Sequence, residues 1–274
     1  HAQLTPLLGT RLGYANNLYD FEQTGINSRS ALLDRMEHMG IVNLRWQALQ
    51  QTTGLLGYNF EAVNYTSNDP ITYPGGFLFG LFPVFTTADP EVRNRHTHYF
   101  YVGADHTFTA RLNGSVRVGG QYTEYYNLPG NQNSIGPYAD LSLAYTYLPG
   151  SYLQVGLRHA PNPTDLGTID ALRLVLNQES TSLYASVTHR ITPRITGNVL
   201  GQYQYSEANA LNIFNNETSA IGEDHIFIAN LNLSYRINPF WSAETGYNFA
   251  HLESDFGGRS YTRNYVYLGV RATY

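Results

Sequence analysis

Apolar and polar residues alternate along much of this chain, most plainly in its last fifteen positions. Between Ser260 and Tyr274, Val266, Leu268, Val270 and Ala272 interleave with Tyr267, Gly269, Arg271 and Thr273. Successive side chains on a strand point to opposite faces, so the stretch has one apolar face and one polar face that carries arginine. The apolar face persists for about ten residues, the length a tilted strand needs to cross a bilayer. The same alternation predicts strands at Leu8–Tyr14, Ile41–Gln50, Leu55–Tyr65, His98–Phe108, Ser115–Tyr126, Tyr138–Tyr147 and Tyr152–Ala160. It continues through Thr181–Arg190, Ile195–Ser206, His225–Arg236, Phe240–His251 and Tyr261–Thr273, about twelve strands in all. A polar stretch, Phe21–Glu37, leaves room for a helical turn over Ala31–Met36.

The connections fall into two kinds. Thr109–Asn113, Leu148–Gly150, Ile191–Arg194 and Ile237–Pro239 are short and mostly built on proline, which presets φ for a turn and cannot donate to a ladder. Leu128–Ser134, Pro161–Ser180, Glu207–Asp224, Leu252–Arg259 and, above all, Thr66–Arg95 are long. Short turns on one side and long loops on the other is the asymmetry of an outer-membrane barrel, with the turns in the periplasm and the loops outside. The expected fold is therefore all-β: one transmembrane antiparallel barrel over residues 1–274, with its N- and C-termini periplasmic. His189-Arg-Ile-Thr-Pro-Arg-Ile-Thr and Tyr235-Arg-Ile-Asn-Pro-Phe-Trp-Ser read as a hairpin repeat within that sheet.

Composition agrees. Charged residues make up 14%, against about 25% in an ordinary soluble domain. There are 23 tyrosines, and no run approaches the length of a membrane helix. Tyrosines near strand ends (Tyr99, Tyr101, Tyr122, Tyr125, Tyr126, Tyr145, Tyr147, Tyr203, Tyr205, Tyr235, Tyr247), together with Trp241, are expected to form the aromatic girdles of the two lipid interfaces. Absence of cysteine suits passage through an oxidising compartment. A net charge of −5 argues against nucleic acid as a partner. The first residues lack the basic and apolar regions of a signal peptide, so any such peptide is expected to have been removed.

Gly156-Leu-Arg-His-Ala-Pro-Asn-Pro-Thr-Asp165, the run from Asn177 to Arg194, and the closing Tyr261–Tyr274 resemble the beta-barrel porin 2 (BBP2) family. The resemblance covers roughly residues 95–274. It implies an outer-membrane barrel, in a family of which some members are associated with exopolysaccharide secretion.

Charged residues in the strands are assigned to the lumen, because an arginine facing lipid at mid-bilayer costs about 2–4 kcal/mol. The candidates are Arg45, Glu61, Asp105, Arg117, Asp140, Arg158, Glu244 and Arg271, with Arg11 and Arg236 beside them. Phe77, Phe79, Phe82 and Phe85, in an apolar segment of the longest loop, are candidate contacts with a neighbouring protein, with lipid, or with the barrel's own loops. Three histidines, His96, His98 and His106, share a strand face but lack the further ligands a zinc site wants. Glu223-Asp224-His225, and Arg158-His159 with Asp165, have the composition of a general base and its orienting carboxylate, without a second group to face them. No catalytic, metal or cofactor residue is expected. The resulting expectation is a porin-like channel or the outer-membrane part of an export assembly, polysaccharide export included. The competing reading is a non-conducting barrel that anchors other membrane or periplasmic proteins through its loops or turns.

Overall fold

The alternation is realised as a single large antiparallel sheet in the computed structural model, which describes residues 2–128, 132–162, 164, 166–170, 172–212, 215 and 217–272. A stub, β1 (Ala2–Gln3), precedes β2 (Leu8–Tyr19), the short helix α1 (Arg29–Leu33), β3 (Arg35–Leu49) and β4 (Thr52–Tyr65). The longest loop holds its own hairpin, β5 (Ile71–Leu78) and β6 (Phe82–Ala88), and a 3-10 turn at Pro90–Arg93. Then come β7 (Arg95–Thr109), β8 (Leu112–Tyr125), β9 (Gln132–Leu148) and β10 (Ser151–Asn162). A short β11 (Thr168–Asp170) is followed by β12 (Arg173–Arg190), β13 (Ile195–Asn212), β14 (Glu217–Arg236), β15 (Trp241–Ser254) and β16 (Tyr261–Ala272). Leaving out β5, β6 and β11, each strand pairs with its neighbours in chain order, so twelve long strands form one meander from β2 to β16. Thr273 and Tyr274, the last residues of the predicted final strand, lie outside the described residues, as does Asp165.

Among the described residues β2 and β16 are not paired with each other, so the sheet has a seam. Hydrocarbon supplies no hydrogen bonds, and both edges therefore require strand partners in a bilayer.

The strands run further than their alternation suggests, mostly toward the long-loop end. β12 begins at Arg173 rather than Thr181, β14 at Glu217 rather than His225, and β13 continues to Asn212 rather than stopping at Ser206. Most of the expected loops Pro161–Ser180 and Glu207–Asp224 are therefore strand. These extensions are polar or mixed on both faces, as in Asn177-Gln178-Glu179, because both of their faces lie beyond the apolar band. The helical turn expected over Ala31–Met36 sits earlier, at Arg29–Leu33, where the Ser28 hydroxyl accepts from the Ala31 N–H at 3.0 Å. Met36 already belongs to β3.

The short turns follow their sequence chemistry. Pro149-Gly150 makes a tight turn with Gly150 at φ 77°, a conformation other residues adopt at a cost. Thr192-Pro193-Arg194 and Asn238-Pro239-Phe240 are built alike. The N–H of Ile191 bonds the carbonyl of Ile195 at 2.9 Å, as that of Ile237 bonds Trp241 at 2.9 Å. The Thr192 hydroxyl accepts from Arg194 and Ile195, and the Asn238 side chain from Phe240 and Trp241. Leu4-Thr5-Pro6-Leu7-Leu8 repeats the arrangement between β1 and β2.

Register places Leu183, Val187, Val199, Phe227, Leu231, Leu233, Val266, Leu268 and Val270 on one face. That face is exposed, with Leu268 at 84%, as expected where lipid is the covering medium. Seven of the histidines on the same face have Nδ1 within 2.7–2.8 Å of a hydroxyl, six of them on the neighbouring strand and His189 reaching Tyr147 one strand further. Tyr14–His38, Tyr58–His98 and Tyr203–His225 lie toward the long loops, and Tyr147–His189 and Thr52–His106 toward the short turns. These pairs bracket the apolar band as an aromatic girdle does. Tyr99, Tyr101 and Tyr125 are not part of it: they point to the opposite, polar face and are buried there, because each falls on the other parity of its strand.

Candidate functional site

The polar face is the site. Arg45, Glu61, Asp105, Arg117, Asp140, Arg158, Glu244 and Arg271 all lie on it, opposite in parity to the exposed leucines and valines. Arg45, Arg117, Asp140 and Arg158 fall in one cross-strand row. Asp105, on the adjacent row, takes Arg45 Nη2 on one oxygen and Arg117 Nη2 on the other, both at 3.2 Å. Arg158 has no carboxylate within 4 Å among the described residues, although Asp140 is its register partner. Arg271 pairs with Glu244 at 3.0 Å. Glu61 pairs with Arg95 at 3.4 Å and accepts from the Tyr99 hydroxyl at 3.3 Å. Arg95 was not among the sequence candidates, since it stands just before the alternating part of β7.

Glycine keeps this face close-packed. Tyr101, Tyr184 and Tyr267 each lie flat across the glycine facing them on the next strand, Gly57, Gly156 and Gly246. A Cβ at any of the three would sit within 2.1–2.5 Å of the tyrosine ring. Glycine here lets a large ring hug the wall rather than project into the lumen.

The long-loop end is covered. One apolar cluster joins Ala31 of α1, Ile71 of β5, Tyr125 of β8, Leu128, Leu174 and Leu176 of β12, and Leu211 of β13. Its members come from α1, the β5–β6 hairpin and the upper ends of strands as far apart in the sheet as β8 and β13, so the cluster bridges across the mouth. Arg93 fastens it: Nη1 donates to the Leu32 carbonyl at 3.1 Å and Nη2 to the Thr164 carbonyl at 2.6 Å. Its guanidinium carbon also lies 4.7 Å from the centre of the Tyr65 ring. Arg93 and Arg95 are both completely buried. Nε of each, and the Tyr65 hydroxyl, have no acceptor or donor among the described residues. Asn27 ties the base of the β5–β6 hairpin through Thr72 at 2.7 and 2.8 Å. The hairpin tip is free of the cap: Phe77, Phe79, Phe82 and Phe85 are exposed, Phe79 at 85%.

The short-turn end is open and basic. Arg190, Arg194, Arg236 and Arg271 surround a cleft of about 440 Å³ in which Glu244 is the one carboxylate among the described residues. Charge is distributed unevenly along the strands. Asp105 and Glu244 lie in the short-turn halves and Asp140 near a midpoint; the other described carboxylates lie in the upper halves or the long loops. Arg11, Arg45, Arg111, Arg117, Arg190, Arg194, Arg236 and Arg271 belong to the short-turn half. The chain has sixteen arginines and no lysine. That count, with arginine flanking successive turns, is the signal from which Arg190 and Arg194 could have been found.

The general-base candidates do not assemble. His225 lies on the apolar face with Tyr203 at 2.7 Å and Glu223 at 3.6 Å, while Asp224 points the other way, to Gln178 at 2.8 Å and Arg259 at 3.1 Å. Arg158 and His159 are likewise on opposite faces. His96 packs on Tyr126, His98 bonds Tyr58 and His106 bonds Thr52; no three metal-ligating side chains converge among the described residues.

The fold has solved counterparts. A copper transporter, OprC, matches at a TM-score of 0.57 and 12% identity, over 100% of this chain and 50% of that one. The FrpB iron transporter from Neisseria meningitidis (F3-3 variant) matches at 0.54 and 11%, over 83% and 37%. This chain therefore spans half or less of their length, and the likeness at this identity is one of fold. No curated protein matches the sequence. The sheet, its exposed apolar face and its polar lumen are those of an outer-membrane barrel, and residues 85–274 match the model described as Putative beta-barrel porin 2, so the chain belongs to that family.

Proposed function

We propose that this barrel is a low-conductance channel of the outer membrane, closed at its long-loop mouth in the resting state, that serves an export path. The observation that carries this reading is the apolar cluster bridging the long-loop mouth and fastened by Arg93. A general diffusion pore keeps its lumen wet; here the Arg45–Asp105–Arg117 arrangement fills the wall below, and the loops fill the opening above. The short turns and the N- and C-terminal strand ends face the periplasm in this reading. Planar-bilayer recording of the purified protein should give small, infrequent openings; a large steady conductance would refute the closed mouth.

Orientation has its own test. Protease added to intact cells should cut first in the loop between Thr66 and Asn94, whose hairpin tip is exposed, and leave Ile191–Arg194 intact until the cells are lysed. Cleavage at Ile191–Arg194 in intact cells would invert the orientation.

The exposed tip, Phe77 to Phe85, favours a second reading in which the loops hold a partner and the barrel does not conduct. A silent bilayer, together with co-purification that depends on Phe79 and Phe82, would decide for it.

A further inference from the structure

The arginines of the short-turn end were not needed to build the sheet. Arg190, Thr196, Ser234 and Glu244 are successive cross-strand neighbours on β12, β13, β14 and β15, and Arg236, Ser242 and Arg271 form the next row. Both rows share the lumen parity, so these side chains look into the water-filled side of the sheet and away from the lipid face. Arg194 joins them from the turn that follows β12. The equivalent turns Thr192–Arg194 and Asn238–Phe240 flank the cleft and hold it in shape through their side-chain-to-backbone bonds.

Charge in the cleft does not balance. Glu244 is engaged by Arg271 at 3.0 Å, and Arg236 donates to the neutral Pro193 carbonyl at 3.0 Å. Arg190 and Arg194 have no carboxylate within 4 Å among the described residues, and both are exposed. Among the described residues four guanidiniums therefore face one carboxylate around a cleft of about 440 Å³, in a chain whose net charge is −5. A volume of that order is what a small-molecule site offers. Guanidinium is planar and presents paired N–H donors that match the two oxygens of a carboxylate or phosphate, a fit that lysine cannot offer.

We propose that this cleft is a binding site for a solute bearing closely spaced phosphate or carboxylate groups, taken up at the short-turn mouth. The proposal rests on the reading of the polar face as a lumen and adds the substrate class to it. Phospholipid headgroups carry the same chemistry, but they lie on the opposite face of these strands, and the parity of Arg190, Arg236 and Arg271 favours a water-borne ligand.

Inorganic pyrophosphate is a suitable probe. Titrated into the full chain, in nanodiscs of phosphatidylcholine and at constant ionic strength, it should bind saturably. Arg190→Gln with Arg194→Gln should weaken it at least about tenfold, the effect of about 1.4 kcal/mol by the arithmetic of binding. Arg111→Gln, at a different short turn, should change it less than twofold, and Arg194→Lys should fall between. Each variant is first shown to keep the heat-dependent gel mobility of a folded barrel; Arg194→Lys, the mildest change, supplies the comparison if the double variant does not fold. Nanodiscs containing phosphatidylglycerol should leave the affinity unchanged. Absence of saturable binding, an equal loss in Arg111→Gln, or displacement of pyrophosphate by phosphatidylglycerol would each overturn the proposal. Because binding is read without any current, a silent bilayer with intact binding counts against the channel reading alone, and a conducting barrel without binding counts against the cleft alone.

Discussion

Arginine in place of Leu231 should prevent the barrel from assembling, whereas arginine in place of Asn230 should be tolerated. The two residues are adjacent on β14 and face opposite ways. Leu231 stands between Val199 and Tyr247 on the exposed apolar face, 46% accessible where lipid is the covering medium. Asn230 stands between Leu200 and Asn248 on the lumen face. A guanidinium near mid-bilayer costs about 2–4 kcal/mol, a large fraction of the 5–15 kcal/mol that usually separates folded from unfolded protein. At Asn230 the same group meets water and the polar wall. Folding into lipid vesicles, followed by gel mobility and urea titration, measures the difference directly. Equal behaviour of the two variants would mean that the faces have been assigned the wrong way round.

Removing the cap should turn a quiet barrel into a conducting one. Replacing Ile71–Ala88 by a short Gly-Ser linker deletes Ile71 and Tyr73 from the cluster over the mouth and frees Asn27. Burial of a residue such as Ile71 contributes about 1.5–3 kcal/mol, so its loss alone shifts a marginal open–closed balance by one or two orders of magnitude. Arg93→Ala is the finer cut. It removes two hydrogen bonds from a buried charge, each worth about 1.5–3 kcal/mol, and the contact with Tyr65, while leaving every strand of the sheet in place. Both variants should raise the mean current several-fold in planar bilayers, the hairpin deletion more than the point change. Currents equal to those of the unaltered protein in both would show that the barrier lies elsewhere in the lumen. A closed state held lower down, at Asp105, would instead respond to Arg117→Ala.

Much of this was legible in the chain because lipid imposes a strict alternation. Where a strand crosses the apolar band, as Thr181–Arg190 does, every second residue is fixed by solvent, and both the strand and its facing can be read off. Beyond the band that constraint ends. Leu174 and Leu176 lie in the upper part of β12 and look like loop residues in sequence, yet they are buried because a loop from β4–β7 folds onto them. That contact is long-range and leaves no local pattern. The same limit separated the lumen charges from their partners. Glu61 and Asp105 could be placed on the polar face from parity, but their choice of Arg95 and of Arg45 with Arg117 depends on which strands adjoin and at what register. Tyr99 and Tyr101 show the reverse error: tyrosine near a strand end suggests an interface, and parity within the strand overrides it. Arg190 and Arg194 were passed over because each one, taken alone at a strand end or in a turn, looks like ordinary solvated charge.

Arginine at one end of the strands and carboxylate at the other has an electrical consequence. A conduit with fixed positive charge at one mouth and fixed negative charge at the other behaves as an ionic diode. Under one polarity anions enter past Arg190, Arg194 and Arg236 while cations enter from the loop side, and the conduit fills with carriers. Under the other polarity both are drawn out and the middle is depleted. Once the cap is open, the current–voltage curve should be bent rather than straight, and the bend should flatten at high salt as the fixed charges are screened. Easy flow for anions then runs from the short turns toward the long loops, a direction set by where the arginines lie and independent of any moving part.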